Sequence, residues 1–194
     1  SNVTNMENMF RNANALTDEN QCAIHWEFRS NVHWPYDWFD LCITFQFQTK
    51  AELQTAVDLW VSDNATALST YGQISFWDVS LITNMSGLFW NKQTFNDDLS
   101  GWNVSNVTDM SNTFRSTNSF NQDLSSWDVS SVTNMANMFY ETPSFDQNIS
   151  NWDVSNVTNM VHMFRYSTGL SAGAKCAIHT SFSDQNDLWP YDWS

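Results

Sequence analysis

The chain of 194 residues is 42% hydrophobic and 15% aromatic, enough apolar material for one cooperative core and too short to demand several independent domains. Lys plus Arg number 7 against 21 Asp plus Glu, and the formal net charge of -14 gives a surface that repels nucleic-acid phosphates and anionic membranes, so no nucleic acid is expected as a partner. The sequence has no apolar run long enough to span a bilayer, no basic leader with an apolar stretch behind it and no lipidation signal, so no membrane insertion is expected of this segment.

The first residues already belong to a long internal repeat. "SNVTNM" at Ser1 recurs at Ser155, an offset of 154 residues; "MFR" recurs at Met9 and Met163, "CAIH" at Cys22 and Cys176, and "WPYDW" at Trp34 and Trp189, where the offset has become 155. The chain therefore holds about one and a quarter copies of a super-unit. Residues 1–21 are read as the end of a preceding repeat array and 22–48 as a cap. Alternation of Cys22, Ile24, Trp26 and Phe28, and of Ile43, Phe45 and Phe47, predicts two half-buried strands in that cap. Such strands bring Cys22 and Cys42 together, and a disulfide there closes a loop of about 20 residues, contributing about 3 kcal/mol through the unfolded state; two buried thiols are the alternative reading. Cys176 is the counterpart of Cys22, and the partner expected for it lies past Ser194, which accounts for an odd cysteine count.

Residues 49–70 are predicted as a capping helix and lead-in segment. Thr49 and Glu52 fit a capping box, and Leu53, Ala56, Val57 and Trp60 form an amphipathic stripe suited to covering the open end of a repeat stack. "YGQISFWDVS", with Gly72 at its turn, then leads into residues 71–175.

There the register is a strict 25 residues: Trp77, Trp102, Trp127 and Trp152; Val79, Val104, Val129 and Val154; Met85, Met110, Met135 and Met160; Phe89, Phe114, Phe139 and Phe164; with Thr83, Thr108, Thr133 and Thr158 between them. Columns of this kind are the inward face of stacked units, a stronger reading than a cofactor box or a row of sugar-binding platforms. Inside one unit the apolar spacing changes from two (Trp102, Val104) to three and four (Val107, Met110, Phe114). This predicts a short strand near "SGWNV", a turn at "SNVT", a helical turn through "MSNTF" and a loop ending in Phe120 and Leu124, that is, a repeat solenoid of the α/β leucine-rich-repeat type. Residues 176–194 begin the next cap.

Chemistry-bearing motifs are scarce. The sequence contains no GxSxG, HExxH, phosphate loop or CxxC, and no enzyme activity is expected. His25, His33, His162 and His179 are scattered, and His25 and His179 share one column of the cap, so they are read as structural. Asn96 with Asp98, Asn121 with Asp123, and Asp146 with Asn148 repeat along one edge. Asp98, Asp123 and Asp146 are thereby candidate calcium ligands, the alternative being side chains that close turns and form hydrogen-bonded ladders; no other metal or cofactor is expected. Sequons at Asn2, Asn64, Asn84, Asn103, Asn106, Asn148 and Asn156, in a Lys-poor chain, point to an extracellular setting with possible glycosylation, although an Asn- and Ser-rich repeat generates sequons by itself.

"FNQDLSSWDVSSVTNMANMF" at Phe120 to Phe139 resembles the repeat of BspA-like leucine-rich-repeat surface proteins. The helix followed by "YGQISFWDVS" is similar to the lead-in of that array, and "CAIH...WPYDW...C" resembles the closing element of protist members, so the likeness covers nearly the whole chain. It implies a secreted or cell-surface protein that in some members binds host or matrix components, and it carries no catalytic site. Unlike most members, this chain resumes an array after its cap, which favours a tandem or head-to-tail fibre. The expected function is an extracellular structural module of a cell-surface or filament protein that assembles by tandem or head-to-tail solenoid stacking, with copies of itself or adjacent repeats as partners. An adhesin for glycans or host surface proteins is the second reading, with Trp34, Tyr36 and Trp38 of the cap as candidate contacts. A polysaccharide-cleaving β-helix is a third, weakened by the lack of one differentiated carboxylate pair.

Overall fold

A computed structural model describes Phe10, Ile24 and residues 45–193. Between Trp77 and Ser171 each 25-residue unit makes one coil, and the coils lie on one another with their Trp, Val, Met and Phe columns buried along a common axis. The local cause is a left-handed residue every few positions. Backbone φ is +67° at Gly87 and +60° at Asn91, and the same two columns are positive at Asn112 and Ser116, Asn137 and Glu141, His162 and Tyr166. Each such residue stops a turn before it can propagate as a helix. Overlapping four-residue turns follow one another, as in Leu88 N–H to Met85 O (3.1 Å), Trp90 N–H to Gly87 O (3.0 Å) and Lys92 N–H to Phe89 O (3.1 Å). Alternate N–H groups are left pointing along the stack: those of Met85, Gly87, Phe89 and Asn91 donate to the carbonyls of Asp109, Ser111, Thr113 and Arg115 in the next coil at 2.8–2.9 Å.

This corrects the expected class. Among the described residues there is no strand and no sheet, and the helices stand outside the coils, so the chain is not an α/β leucine-rich-repeat solenoid. Successive coils share only isolated parallel bridges, Asn84 with Asp109, Asp109 with Asn134 and Asn134 with Asn159. The segment expected as strand, 100–104, is turn and irregular chain, and the segment expected as helical turn, 110–114, is a run of reversing turns. Apolar spacings of two, then three and four, arise here from consecutive turns closed by left-handed residues, a pattern that imitates strand followed by helix.

Helices close both ends. At one end α1 (Lys50–Ser62) and α2 (Asn64–Tyr71) are followed by a 3-10 turn at Ile74–Phe76. Thr49 Oγ1 caps α1 by accepting from Glu52 N–H at 3.2 Å, while Glu52 Oε2 accepts from Gln48 N–H at 2.9 Å. Leu53, Ala56, Val57 and Trp60 are buried on the first coil, the Trp60 ring meeting Trp77 edge-on at 5.7 Å. Two polar contacts fix the seating: Trp60 Nε1 donates to Asp97 Oδ2 at 3.0 Å, and Lys92 Nζ reaches Asp58 Oδ1 at 2.5 Å. Phe45 and Phe47, expected in a strand, flank a single bridge between Gln46 and Asp78.

At the other end α3 (Ala172–Gln185) buries Ala174, Ile178 and Phe182, a spacing of four, so the segment around Cys176 is helical where the alternation in its upstream copy predicted a strand. Ile24, the counterpart of Ile178, is helical too. Gln185 and Asn186 satisfy the edge of the last coil: Val154 N–H donates to Gln185 Oε1 (2.9 Å), and Asn186 Nδ2 donates to the carbonyls of Val154 (2.8 Å) and Val157 (2.7 Å). Tyr191 O–H accepts from Phe164 N–H at 2.7 Å, and burial pushes the Tyr191 phenol up. The rings of Trp189, Tyr191 and Trp193 surround Phe164. The Cys22–Cys42 pairing, Asn2, His25, His33, Trp34, Tyr36 and Trp38 lie outside the described residues.

Candidate functional site

The surface with the most repeated chemistry is the coil-to-coil interface. Trp102, Trp127 and Trp152 each send indole Nε1 to a main-chain carbonyl 28 residues back, those of Ile74 (2.8 Å), Leu99 (3.0 Å) and Leu124 (3.0 Å). Thr108, Thr133 and Thr158 bond the carbonyl 25 residues back through both N–H and Oγ1, at 2.8–3.1 Å. A buried hydroxyl column reaches the carbonyl 28 residues back inside the core: Thr117 Oγ1 to Phe89 O (2.8 Å), Thr142 Oγ1 to Phe114 O (2.7 Å) and Ser167 Oγ to Phe139 O. The ring columns stack in parallel, Phe89, Phe114, Phe139 and Phe164 at centroid distances of 5.3, 5.5 and 5.4 Å with planes within 7°. Phe95, Phe120 and Phe145 follow at 6.1 and 6.2 Å, and Trp127 lies 6.5 Å from Trp152. Each polar group thus has its partner in the adjacent coil and each ring its neighbour, which fixes register one coil at a time.

The acidic edge is taken up by turns. Asp98 Oδ1 accepts from Ser100 N–H and Asp123 Oδ1 from Ser125 N–H, both at 2.8 Å, and the backbone and hydroxyl of Ser125 hold the Asp123 carboxyl below its ordinary range. Asp146 stands in a different column, with Asn96 and Asn121. There Asn96 Oδ1 accepts from Asn121 N–H (2.8 Å), Asn121 Oδ1 from Asp146 N–H (2.8 Å) and Asp146 Oδ1 from Ser171 N–H (2.7 Å), and the backbone and hydroxyl of Ser171 lower the Asp146 carboxyl. The candidate calcium ligands are therefore divided between two ladders, and among the described residues no three His, Cys, Asp or Glu side chains converge as a metal site.

The sequon asparagines separate in the same manner. Asn84, Asn106 and Asn156 donate their amide nitrogen, the atom a glycan would need, to Asp109 Oδ2 (3.4 Å), Ser80 O (2.8 Å) and Ser130 O (2.8 Å). Asn64, Asn103 and Asn148 are exposed, and Asn103 and Asn148 engage only their oxygen, with the amides of Ser105 (3.2 Å) and Ser150 (3.0 Å). His179 Nδ1 lies 3.1 Å from Trp189 Nε1, its donor, and exposed His162 has its Nε2 3.1 Å from an Arg165 guanidinium nitrogen. Cys176 is an exposed free thiol on α3. Sequence reasoning missed the buried hydroxyl column, although Thr117, Thr142 and Ser167 carry the 25-residue period.

Fold and interface together define a stacked-coil repeat protein sealed at each end by helices. The chain belongs to the family described as "Mycoplasma protein of unknown function, DUF285", which matches residues 1–52 and 57–175. Comparison with curated proteins and with solved structures returns no match.

Proposed function

We propose that this chain is an extracellular structural module of a cell-surface or filament protein, in which arrays of stacked coils succeed one another in tandem. The observation that carries the reading is the sameness of the coil contacts: the four amide donors of Met85, Gly87, Phe89 and Asn91 recur at Met110 to Ser116 and again at Met135 to Glu141, with acceptors in the same register. Backbone contacts repeated in one register serve construction, and the repeated carboxylates of Asp98 and Asp123 hold turns. The super-unit offset of 154 residues and the BspA-like repeat sequence point the same way, and exposed Asn64, Asn103 and Asn148 suit a glycosylated exterior. The helices α1 and α3 on the two end faces support a reading in which arrays follow as separate bodies joined through the chain, rather than as one stack continued coil upon coil. Electron microscopy of the native full-length protein tests this. Bodies spaced at one per super-unit along a fibre are the expected result, and isolated, non-repeating particles would overturn it.

A further inference from the structure

One exposed column departs from the small polar residues around it. Immediately after the buried Phe of each coil stand Trp90, Arg115, Tyr140 and Arg165, alternating aromatic ring and guanidinium along the stack. The Arg115 guanidinium lies 5.2 Å from the Trp90 ring centre and 4.7 Å from that of Tyr140, Tyr140 meets Tyr166 edge-on at 5.4 Å, and Arg165 covers Tyr166 at 4.9 Å. Trp90 remains 54% exposed and Tyr166 55%, so this is a ridge of rings held in place by their neighbours yet open to solvent. Beside the ridge runs an open groove of about 340 Å³ lined by one residue from each coil, Asn91, Ser116, Glu141 and Tyr166, together with Gln93, Asn118 and Pro143. The first four have positive φ, between +52° and +64°. Asn accepts that conformation readily, whereas Glu141 and Tyr166 adopt it at a cost, so these positions carry side chains chosen against backbone preference.

We propose that ridge and groove form a binding site for a neutral oligosaccharide lying along the coil axis. Amide and hydroxyl groups, one carboxylate and exposed ring faces are the chemistry that recognises vicinal hydroxyls and the apolar face of a pyranose. The site opens along the stack, and the ring centres of the adjoining Phe column repeat every 5.3–5.5 Å from coil to coil, about one sugar-sized step. The charged groups at the site are mixed, Glu141 in the groove and the Arg115 and Arg165 guanidiniums on the ridge, and the chain's net charge of -14 disfavours sulfated or uronate chains.

The test titrates the intact protein with neutral glucan, mannan and galactan hexasaccharides and with their uronate and sulfated counterparts, following tryptophan fluorescence and heat. Binding of at least one neutral series is expected, strengthening with oligomer length and weakened about tenfold or more by Trp90→Ala and by Glu141→Gln, as for loss of one central contact. Both variants change exposed side chains, and an unaltered melting temperature shows that the stack is intact. The proposal is overturned if no neutral series binds, if both variants bind like the parent, or if the charged counterparts bind more tightly.

Discussion

Replacing Phe114 by Ala tests whether the coils are close-packed and coupled. Phe114 is fully buried, stacked on Phe89 at 5.3 Å and Phe139 at 5.5 Å in the adjacent coils and on Phe120 at 4.1 Å in its own. The backbones above and below are tied by inter-coil hydrogen bonds, so they cannot collapse into the vacated space. Truncation of a buried Phe costs about 3–5 kcal/mol under such conditions, and the loss of several ring pairs places this case toward the upper end. Against a total stability of about 5–15 kcal/mol, that is a large fraction. Urea unfolding followed by tryptophan fluorescence reads it directly, with an unchanged slope on denaturant expected if unfolding stays cooperative. The double variant Phe114→Ala with Phe139→Ala enlarges one shared cavity, so its cost differs from the sum of the single costs by about 0.5–3 kcal/mol. A single-variant cost below about 1 kcal/mol, or additivity in the double variant, would refute the argument that the ring column couples neighbouring coils.

Three further outcomes follow from local geometry. A Cβ at Gly169 would lie 2.2 Å from Pro143 O, a backbone atom of the preceding coil, so Gly169→Ala is expected to lower stability by about 1–3 kcal/mol; Gly173→Ala in α3, where a Cβ meets nothing within 4 Å, raises it by about 0.5–1 kcal/mol, and calorimetry that failed to separate the two would contradict the packing. The carboxyls of Asp123, Asp128 and Asp153 are held below the ordinary 3.8 by bonds from Ser125, Ser130 and Ser155, so the stability they add is fully present above that value and is lost below it, as pH falls through their lower folded-state values. Melting temperature is therefore expected to fall below about pH 4, and less steeply in the triple Asp→Asn variant, whose amides keep the acceptor oxygen as Asn148 does; identical acid slopes would rule this out. Tyr191→Phe removes the acceptor of Phe164 N–H, a loss of about 1–3 kcal/mol, and hydrogen exchange at Phe164 should quicken selectively.

The columns of Trp, Val, Met and Phe were legible because identity at a fixed spacing of 25 residues is independent of how the backbone gets from one to the next. The conformation between them was not. Gly87, Asn112 and Asn137 hint at a left-handed position, but His162 fills the same column, and Ser116, Glu141 and Tyr166 fill the other, residues that sequence reasoning does not assign to positive φ. Without that signal the spacing of Val107, Met110 and Phe114 reads as helix. The helix around Cys176 was obscured differently, since alternation in the Cys22 copy outweighed the four-residue spacing of Ala174, Ile178 and Phe182. Trp90, Arg115, Tyr140 and Arg165 escaped notice because a search for identical residues passes over a column whose regularity is alternation.

The hydroxyl column has a consequence for how such proteins vary in length. Thr117, Thr142 and Ser167 each bind the coil behind, whereas Lys92, which opens the same column where α1 takes the place of a coil, turns instead to Asp58 of α1. The special residues thus reside in the outermost units, and the inner ones are interchangeable. Duplicating or deleting a 25-residue inner unit in the gene leaves both lids facing the partners they already have, so the length of the stack can be reset by copy number, with no new contact to be invented.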